Sequence, residues 1–392
     1  MMPASVYKRF TLLMTLLFAL FCVNASAEIV IQTVRQEAGE DSFVTYPKLQ
    51  GFSDSLVQET INAHILSEGQ IQDHLNTLLV LSSGVPGKLI VTYEAALFPS
   101  AENPSVFSVL IEAEGRMPNA RNGHRFTPMM LDTGTGERIS WEALFENPDQ
   151  AQALIEEWVF DTLEPDLSNY INIALLTPFP IDRVLITDSG LSFYYPENSL
   201  VWLSGKSASI HFLFHELRDW LNLEDGSLLS RLGVPESLQI QEISAEKIAE
   251  IVSRGELPGL DAKAGDSLDN LIAEHRLLYD PDGFMSGERY QLEKDRYRGV
   301  ALISNDGQTV SGILTERINL FGLVTGETRR EDTQRVLGAP EAGMELDQAA
   351  AQAYGVPMGT MDVYRFDSYA LRFFHGEDDI LNAVMLSIAE GT

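Results

Sequence analysis

The chain has 392 residues, of which 45% are hydrophobic and 9% aromatic, so it holds enough apolar side chains to build folded cores, and its composition excludes general disorder. Its formal net charge is −30, from 57 acidic and 27 basic residues. A surface this acidic repels phosphate backbones and anionic lipids, which argues against nucleic acids and membrane surfaces as partners.

The first segment has the pattern of an export signal. A positive pair, Lys8-Arg9, precedes an apolar run over 10–23, and an A-x-A site ending at Ala27 places cleavage before Glu28. The run is too short to span a bilayer as a helix, which disfavours a retained membrane anchor. We therefore expect a secreted or extracytoplasmic protein, on the periplasmic or cell-wall side, with no membrane span after cleavage.

The single cysteine, Cys22, lies inside this leader. A lipoprotein would need a small residue before the cysteine, whereas Phe21 stands there. The mature chain would then have no cysteine, which excludes disulfides, thiol catalysis and cysteine-based zinc sites.

The residues after the leader predict a series of strands with helices between them. Alternating apolar residues predict strands over 28–34, 43–49, 88–98, 106–114, 125–131, 137–140, 184–186, 191–195 and 209–214. Helical spacing predicts helices over 53–66, 70–81, 141–145, 148–163 and 215–221. Runs of strands with helices to one side indicate an α+β class with an N-terminal antiparallel sheet.

The pattern breaks where Gly226, Gly233 and Pro235 lie close together, and we place a domain boundary there. The second half contains a diverged repeat, in which a glycine turn leads to a helix and then to a meander of strands. The first copy has its helix over 268–275 and strands over 300–304 and 310–315. The second copy has its helix over 331–337 and strands over 363–366, 370–374 and 383–388.

The predicted organisation therefore has five parts. They are a signal peptide at 1–27, an α+β domain at 28–225, a linker with a helix at 226–256, and repeat modules at 257–318 and 319–392.

The search for chemistry finds no catalytic constellation. His211 and His215 are four residues apart, a spacing that chelates zinc from a helix, with Glu216 nearby. The flanking residues form a strand pattern instead, so we expect both histidines at exposed positions opposite buried phenylalanines. A metal-dependent hydrolase using these two histidines stays open as the alternative.

Three weaker motifs have structural explanations. Ser244 begins an S-x-x-K motif but suits a helix cap. The triplet 132–134, Asp-Thr-Gly, has no second copy and suits a tight turn. The acidic loop around Gly283 does not match the EF-hand spacing and leaves room only for a weak cation site. We expect no cofactor.

Several segments read together resemble a bacterial extracytoplasmic family, the RsiV/PdaC-type domain. It occurs in a lysozyme-sensing anti-sigma factor and beside a peptidoglycan deacetylase. The resemblance rests on YPKLQG at 46–51, FSV at 107–109, LDTGTG at 131–136, ISWEALF at 139–145, ITDSGLSFYY at 186–195 and FHELRDWL at 214–221.

The chain departs from this family in two ways. The family often has a Gly-Gly-Ala-His stretch before the third strand, whereas Arg121 occupies the histidine position here, between Asn119 and Asn122. The T-F-D-D signature of the deacetylase is missing, as are the sigma-binding region and membrane helix of the anti-sigma factor. The C-terminal repeats resemble the β-lactamase inhibitor and small outer-membrane lipoprotein modules, which mostly bind proteins through a concave sheet.

These resemblances imply a non-enzymatic, peptidoglycan-associated binding protein of the cell envelope. Its ligand would be a cell-wall glycan or a basic, wall-active secreted protein. Asn119, Arg121 and Asn122 are candidate ligand residues, and Tyr195 and Trp202 could stack on sugar rings if they are exposed. A purely structural envelope protein is the remaining alternative.

Overall fold

The structure is a computed structural model. It describes residues 29–39, 41–99, 104–116, 123–170, 179–187, 189–196, 209–238, 244–260, 262–273, 277–284, 287–292 and 299–389. The predicted signal peptide and its cleavage site at Ala27 and Glu28 lie outside these residues. The chain divides into two units, one of residues up to 122 with 129–139, and one of 123–128 with 140 onwards. The boundaries placed by sequence at 225, 256 and 318 stay predictions.

The first unit contains two helices and most of a five-stranded sheet. The strands of that sheet are β1 (Val30–Glu37), β2 (Phe43–Gln50), β3 (Lys88–Phe98), β4 (Val106–Arg116) and β5 (Gly123–Asp132), in that spatial order, and β5 belongs to this unit from Met129 onwards. Its helices are α1 (Ser55–Glu68) and α2 (Ile71–Ser82). Asp54 caps α1 because its side chain accepts a hydrogen bond from the Leu56 amide.

One strand pair corrects the prediction of an antiparallel sheet. β2 and β3 run parallel, with Phe43 opposite Ile90 and Val44 opposite Val91. The chain leaves β2 through α1 and α2 and returns beside it in the same direction, as parallel neighbours require. The helices bury Ile61, among others, in the same apolar core as these strands.

The second unit begins with a small sheet and a long helix. A 3₁₀ helix at Trp141–Leu144 leads to α3 (Pro148–Tyr170). The strands β6 (Val184–Ile186), β7 (Gly190–Tyr194) and β8 (Ser209–Leu213) form an antiparallel sheet in chain order. Of the segment 215–221, predicted as helical, residues 215–220 form turns. Short helices follow at α4 (Leu228–Arg231), α5 (Val234–Leu238) and α6 (Ala245–Val252).

The rest of the second unit forms an eight-stranded sheet, in the order β15-β16-β17-β18-β12-β11-β10-β9. Its first half contains α7 (Leu268–Ala273), β9 (Leu277–Phe284), β10 (Gly287–Leu292), β11 (Val300–Ser304) and β12 (Gly312–Thr315). A hairpin, β13 (Asn319–Leu320) with β14 (Leu323–Val324), leads to the other half. That half contains α8 (Arg330–Leu337), β15 (Ala342–Leu346), α9 (Gln348–Tyr354), β16 (Gly359–Phe366), β17 (Tyr369–Gly376) and β18 (Leu381–Ile388).

The hydrogen bonds confirm the predicted repeat and show that both copies share one sheet. In the first copy the Leu268 amide donates to the Gln308 carbonyl, and in the second the Arg330 amide donates to the Asp379 carbonyl. Isolated bridges repeat the pattern, with Ser267 opposite Thr309 in one copy and Arg329 opposite Ile380 in the other. The last strands of the two copies, β12 and β18, pair antiparallel and join the halves.

The registers also assign equivalent positions in the two copies. Leu302 lies opposite Tyr290 on one side and Ile313 on the other, and Phe373 lies in the same way between Asp362 and Val384. Asp362 of the second copy therefore stands where the first has Tyr290. By the same registers, His375 occupies the position that Ser304 has in the first copy. The backbone hydrogen bonds of the two helices make Arg330 equivalent to Leu268.

The α+β class is confirmed, but the sheet does not offer the open face that the C-terminal resemblance implies. Every residue of β11 and β12 is buried. Because neighbouring residues of a strand point to opposite faces, these central strands are covered on both sides. One face packs into a core with α6 and α7, and the other into a core with α9. Among the helices of the described residues, none has both the length and the apolar composition that a membrane span requires.

Candidate functional site

The first cluster of polar groups forms around His211, on β8. Ser192 lies directly opposite on β7, and its hydroxyl is 2.8 Å from Nδ1 of His211. The hydroxyl of Ser189 is 3.3 Å from Nε2. The strand prediction is therefore right, but the imidazole is buried rather than exposed, because β8 is the last strand of a sheet covered on both sides.

The turn after β8 binds an arginine from far along the chain. Glu216 accepts a hydrogen bond from the Leu213 amide and forms a bidentate ion pair with Arg317, which follows β12. Arg317 also donates to the His211 carbonyl at 3.2 Å. Its guanidinium lies 4.9 Å from the ring centre of Trp158, on α3. We call Trp158, His211, Glu216 and Arg317 the Arg317 cluster.

His215 lies beside this cluster and is half-buried. Burial lowers the pKa of its imidazole below the ordinary value, although the carboxylates of Glu216 and Glu327 act in the opposite direction. His215 is therefore neutral at pH 7. Within the described ranges no three histidine, cysteine, aspartate or glutamate side chains come together as a metal site would need. The geometry gives no support to the alternative of a zinc pair with His211, since both ring nitrogens of His211 face serine hydroxyls.

The second cluster lies between α8 and the sheet. Asp362 on β16 is fully buried, and its carboxylate accepts two hydrogen bonds from Arg330, at 2.6 and 2.8 Å, and one from Gln334, at 2.9 Å. Burial alone would raise the pKa of Asp362, but the bonds from Arg330 and Gln334 hold it below its usual value. We call Arg330, Gln334, Asp362 and the neighbouring His375 the Asp362 cluster.

Two further groups on this sheet face are buried near Asp362. Tyr364 donates to the Gly338 carbonyl, and burial together with the Asp362 carboxylate raises the pKa of its phenol to about 12. His375, on β17, is buried as well, and burial lowers the pKa of its imidazole to about 4. The ion pair of the Asp362 cluster therefore lies beside a phenol, that of Tyr364, and an imidazole, that of His375, which are both neutral at pH 7.

One of the two aromatic candidates for sugar stacking, Tyr195, lies in the core. Tyr195 is 1% exposed, and its ring lies against Phe179 in the core beside β7. A ring in that position presents no face to a glycan. The other predicted ligand residues, Asn119, Arg121, Asn122 and Trp202, lie outside the described residues, so their roles stay predictions.

Two of the three weaker motifs have the structural roles expected of them, whereas Gly283 lies in the strand β9 rather than in a loop. The Asp132 carboxylate accepts from the amides of Gly134 and Thr135, which makes the Asp-Thr-Gly triplet a turn. The Ser244 hydroxyl accepts from the Lys247 amide and caps α6. Both groups are occupied by backbone contacts.

The sequence did not identify Arg317, Arg330, Asp362 or His375 as members of buried clusters. A signal was present for two of them, since Asp362 lies between Met361 and Val363 and His375 follows two phenylalanines. Charged or polar residues in such runs are expected to have partners on neighbouring elements. The partners themselves, Arg330 and Arg317, sit in polar segments that give no such signal.

Comparisons with known proteins give partial structural likenesses. No family model matches the sequence, and no curated protein matches it. A DUF3298 family protein from Bacteroides fragilis is similar over 55% of this chain and 98% of its own, with 9% identity and a TM-score of 0.38. A DUF3298 family protein from Pseudomonas aeruginosa covers 50% and 94%, with 12% identity and a TM-score of 0.34. The DUF4309 family protein YjgB from Bacillus subtilis covers 38% and 99%, with 14% identity and a TM-score of 0.27.

Proposed function

We propose that this chain is an exported, non-enzymatic binding protein of the bacterial cell envelope whose ligand is a basic, wall-active protein. The observation that carries the proposal is the charge of −30, with 57 acidic against 27 basic residues. Such a field attracts cationic proteins at long range and repels anionic wall polymers. The resemblance of 28–225 to the RsiV/PdaC-type domain supports the envelope location and the class of ligand.

The buried clusters favour a structural role for the cations that lie inside the fold. Arg317 and Arg330 each form a bidentate pair with a carboxylate, so their charges are neutralised within the protein. By contrast, Glu377, Asp378 and Asp379 are exposed in one turn. A basic partner would therefore meet a surface on which carboxylates outnumber ammonium and guanidinium groups.

Two aromatic residues were candidates for stacking on a glycan, and one of them, Tyr195, is buried. Trp202 stays a prediction. Of the two ligands that the resemblance implies, we therefore favour the basic protein over the glycan. The experiment includes a glycan so that binding to it can be detected.

The test measures binding of the mature chain to a basic lysozyme and to soluble peptidoglycan fragments, at about 50 and 500 mM salt. We expect lysozyme to bind, with an association rate at least about tenfold lower at high salt. Lysozyme with acetylated lysines is the matched control and should bind far more weakly. Equal binding of both lysozymes, binding of the fragments alone, or turnover of the fragments would each overturn the proposal.

A further inference from the structure

His375 is a buried imidazole without a hydrogen bond. It is 1% exposed, and neither Nδ1 nor Nε2 has a hydrogen-bond partner within the described part of the chain. Native proteins pair the great majority of their buried polar atoms, so two such nitrogens on one ring call for an explanation. Thr360 lies directly opposite His375 on β16, and its hydroxyl is also buried without a hydrogen-bond partner among the described residues. The same is true of the Thr333 hydroxyl on α8.

The charged groups around His375 come from three elements. Asp362 lies on β16, Arg330 on α8, and Asp379 in the turn between β17 and β18, and each of them acts electrostatically on the imidazole. The Asp362 carboxylate is already engaged by Arg330 and Gln334. A proton on His375 would therefore place a second cation next to the guanidinium of Arg330, in a site with little water to solvate it.

We propose that His375 is an acid-responsive element, and that its protonation releases α8 from the sheet. In the closed form, in which α8 lies on the sheet, burial disfavours the imidazolium and outweighs the attraction of the Asp362 and Asp379 carboxylates, and the Arg330 guanidinium acts in the same direction as burial. An opened form lets water solvate the ring. The apolar anchor that resists opening is small, because Leu337 at the end of α8 is only partly buried against the core and Thr333 is the one fully buried residue of α8.

The sign of the effect follows from proton linkage. The pKa of His375 is lowered to about 4 in the closed form, whereas an exposed imidazole has an ordinary value of 6.5. The opened form therefore binds more protons between these two values, and the closed form is favoured above pH 6.5 and loses that advantage as the pH falls towards 4. At pH 5 the linkage shifts the opening equilibrium by about 30-fold relative to pH 8.

The first copy of the repeat provides an internal comparison. Ser304 occupies the position equivalent to His375, and its hydroxyl accepts from the Gly307 amide. The helix of that copy, α7, is anchored by the buried side chains of Leu268 and Leu271. Nothing in this anchor titrates, so α7 should not respond to pH in the same range.

The experiment is hydrogen exchange of the whole chain at pH 5 and pH 8, corrected for intrinsic exchange rates and resolved by peptide. We expect α8 to be about 30-fold more open at pH 5 and α7 to be unchanged. His375→Gln removes the titrating group and should abolish the response, whereas His64→Gln, on α1, is the matched control and should retain it. A response of α8 that persists in His375→Gln, or an α8 that does not respond, would overturn the proposal.

A second measurement covers the case in which His375→Gln does not fold. The ring of His375 in the unaltered chain is titrated by nuclear magnetic resonance between about pH 3.5 and 8. We expect its midpoint well below 6. A midpoint near 6.5 would show that the closed form tolerates the imidazolium, and the proposal would be wrong.

Discussion

The two copies of the C-terminal repeat hold their helices to one sheet by different physical means. In the first copy Leu268 of α7 packs into an apolar core that Tyr290 of β10 also contacts. At the equivalent positions of the second copy, Arg330 of α8 forms an ion pair with Asp362 of β16. Equivalent backbone hydrogen bonds lie beside both contacts. The two copies therefore share their backbone arrangement and differ in the side chains that hold the helix.

The backbone hydrogen bonds therefore specify this fold more than any one type of side-chain contact does. An apolar anchor gains free energy from burial and is insensitive to pH. A buried ion pair gains little over an apolar pair of similar volume, but removal of one partner leaves a charge without compensation. The second copy is therefore the more fragile of the two, and the following substitutions test that contrast.

The largest effect is expected for Arg330→Leu. It leaves the Asp362 carboxylate buried and without its main partner, which should lower the free energy of unfolding by about 3–5 kcal/mol. The double variant Arg330→Leu with Asp362→Leu approximates the apolar arrangement of the first copy and should recover about 2 kcal/mol or more. Urea unfolding measures both. A double variant as unstable as the single one would show that the ionic contact is required in this copy.

The apolar counterpart is Leu268→Ala in the first copy. Leu268 is 1% exposed, so its truncation should cost about 3 kcal/mol, from lost burial and the cavity left behind. Ile272→Ala, on the exposed side of the same helix, is the matched control and should cost less than about 1 kcal/mol. Both losses should be the same at pH 5 and pH 8, and a strong pH dependence would contradict the contrast drawn between the copies.

A moderate effect is expected for Arg317→Met, in the Arg317 cluster. The substitution keeps part of the side-chain volume but leaves Glu216 without its ion pair, and should cost about 2 kcal/mol. Arg365→Met removes an exposed pair with Glu341 and should cost less than about 0.5 kcal/mol. Equal costs in urea unfolding would mean that the Arg317 cluster behaves as an ordinary surface pair.

The smallest effect concerns the turn of the first copy. Backbone hydrogen bonds from Thr309 and Gln308 lower the pKa of Asp306 to about 2. Its stabilising contribution is therefore complete above the ordinary pKa near 4 and is lost as the pH falls towards 2. Asp306→Asn keeps an acceptor without a titrating proton, so the melting midpoint should change less between pH 7 and pH 3 than in the unaltered chain, by on the order of 1 °C. An unchanged pH dependence would contradict this role.

The sequence predicts the fold best where one face of an element is apolar and the other polar. The strands at 88–98 and 300–304 match the structure end for end, and the cap at Ser244 is confirmed. The repeat is also predicted, because its glycine turns and helix ends recur in the same order. These features depend on residues close in sequence.

Features that depend on distant residues were missed. The parallel pairing of β2 with β3 follows from two intervening helices, which periodicity does not report. The strand β15 was not predicted because its residues are mostly exposed at the sheet edge and have no alternation. The sequence left open whether Tyr195 is exposed or in the core, since an alternating pattern does not show that a strand is covered on both faces, and the structure buries it.

The position of β18 has a consequence for biosynthesis. It is later in sequence than the other strands of the eight-stranded sheet, yet it lies in the middle, between β17 and β12. During translation or export, β12 therefore presents an unpaired inner edge until residues 381–388 emerge. The two halves cannot join in their final register before that moment, so a ribosome stalled upstream would hold a nascent chain that is open to strand exchange with its neighbours.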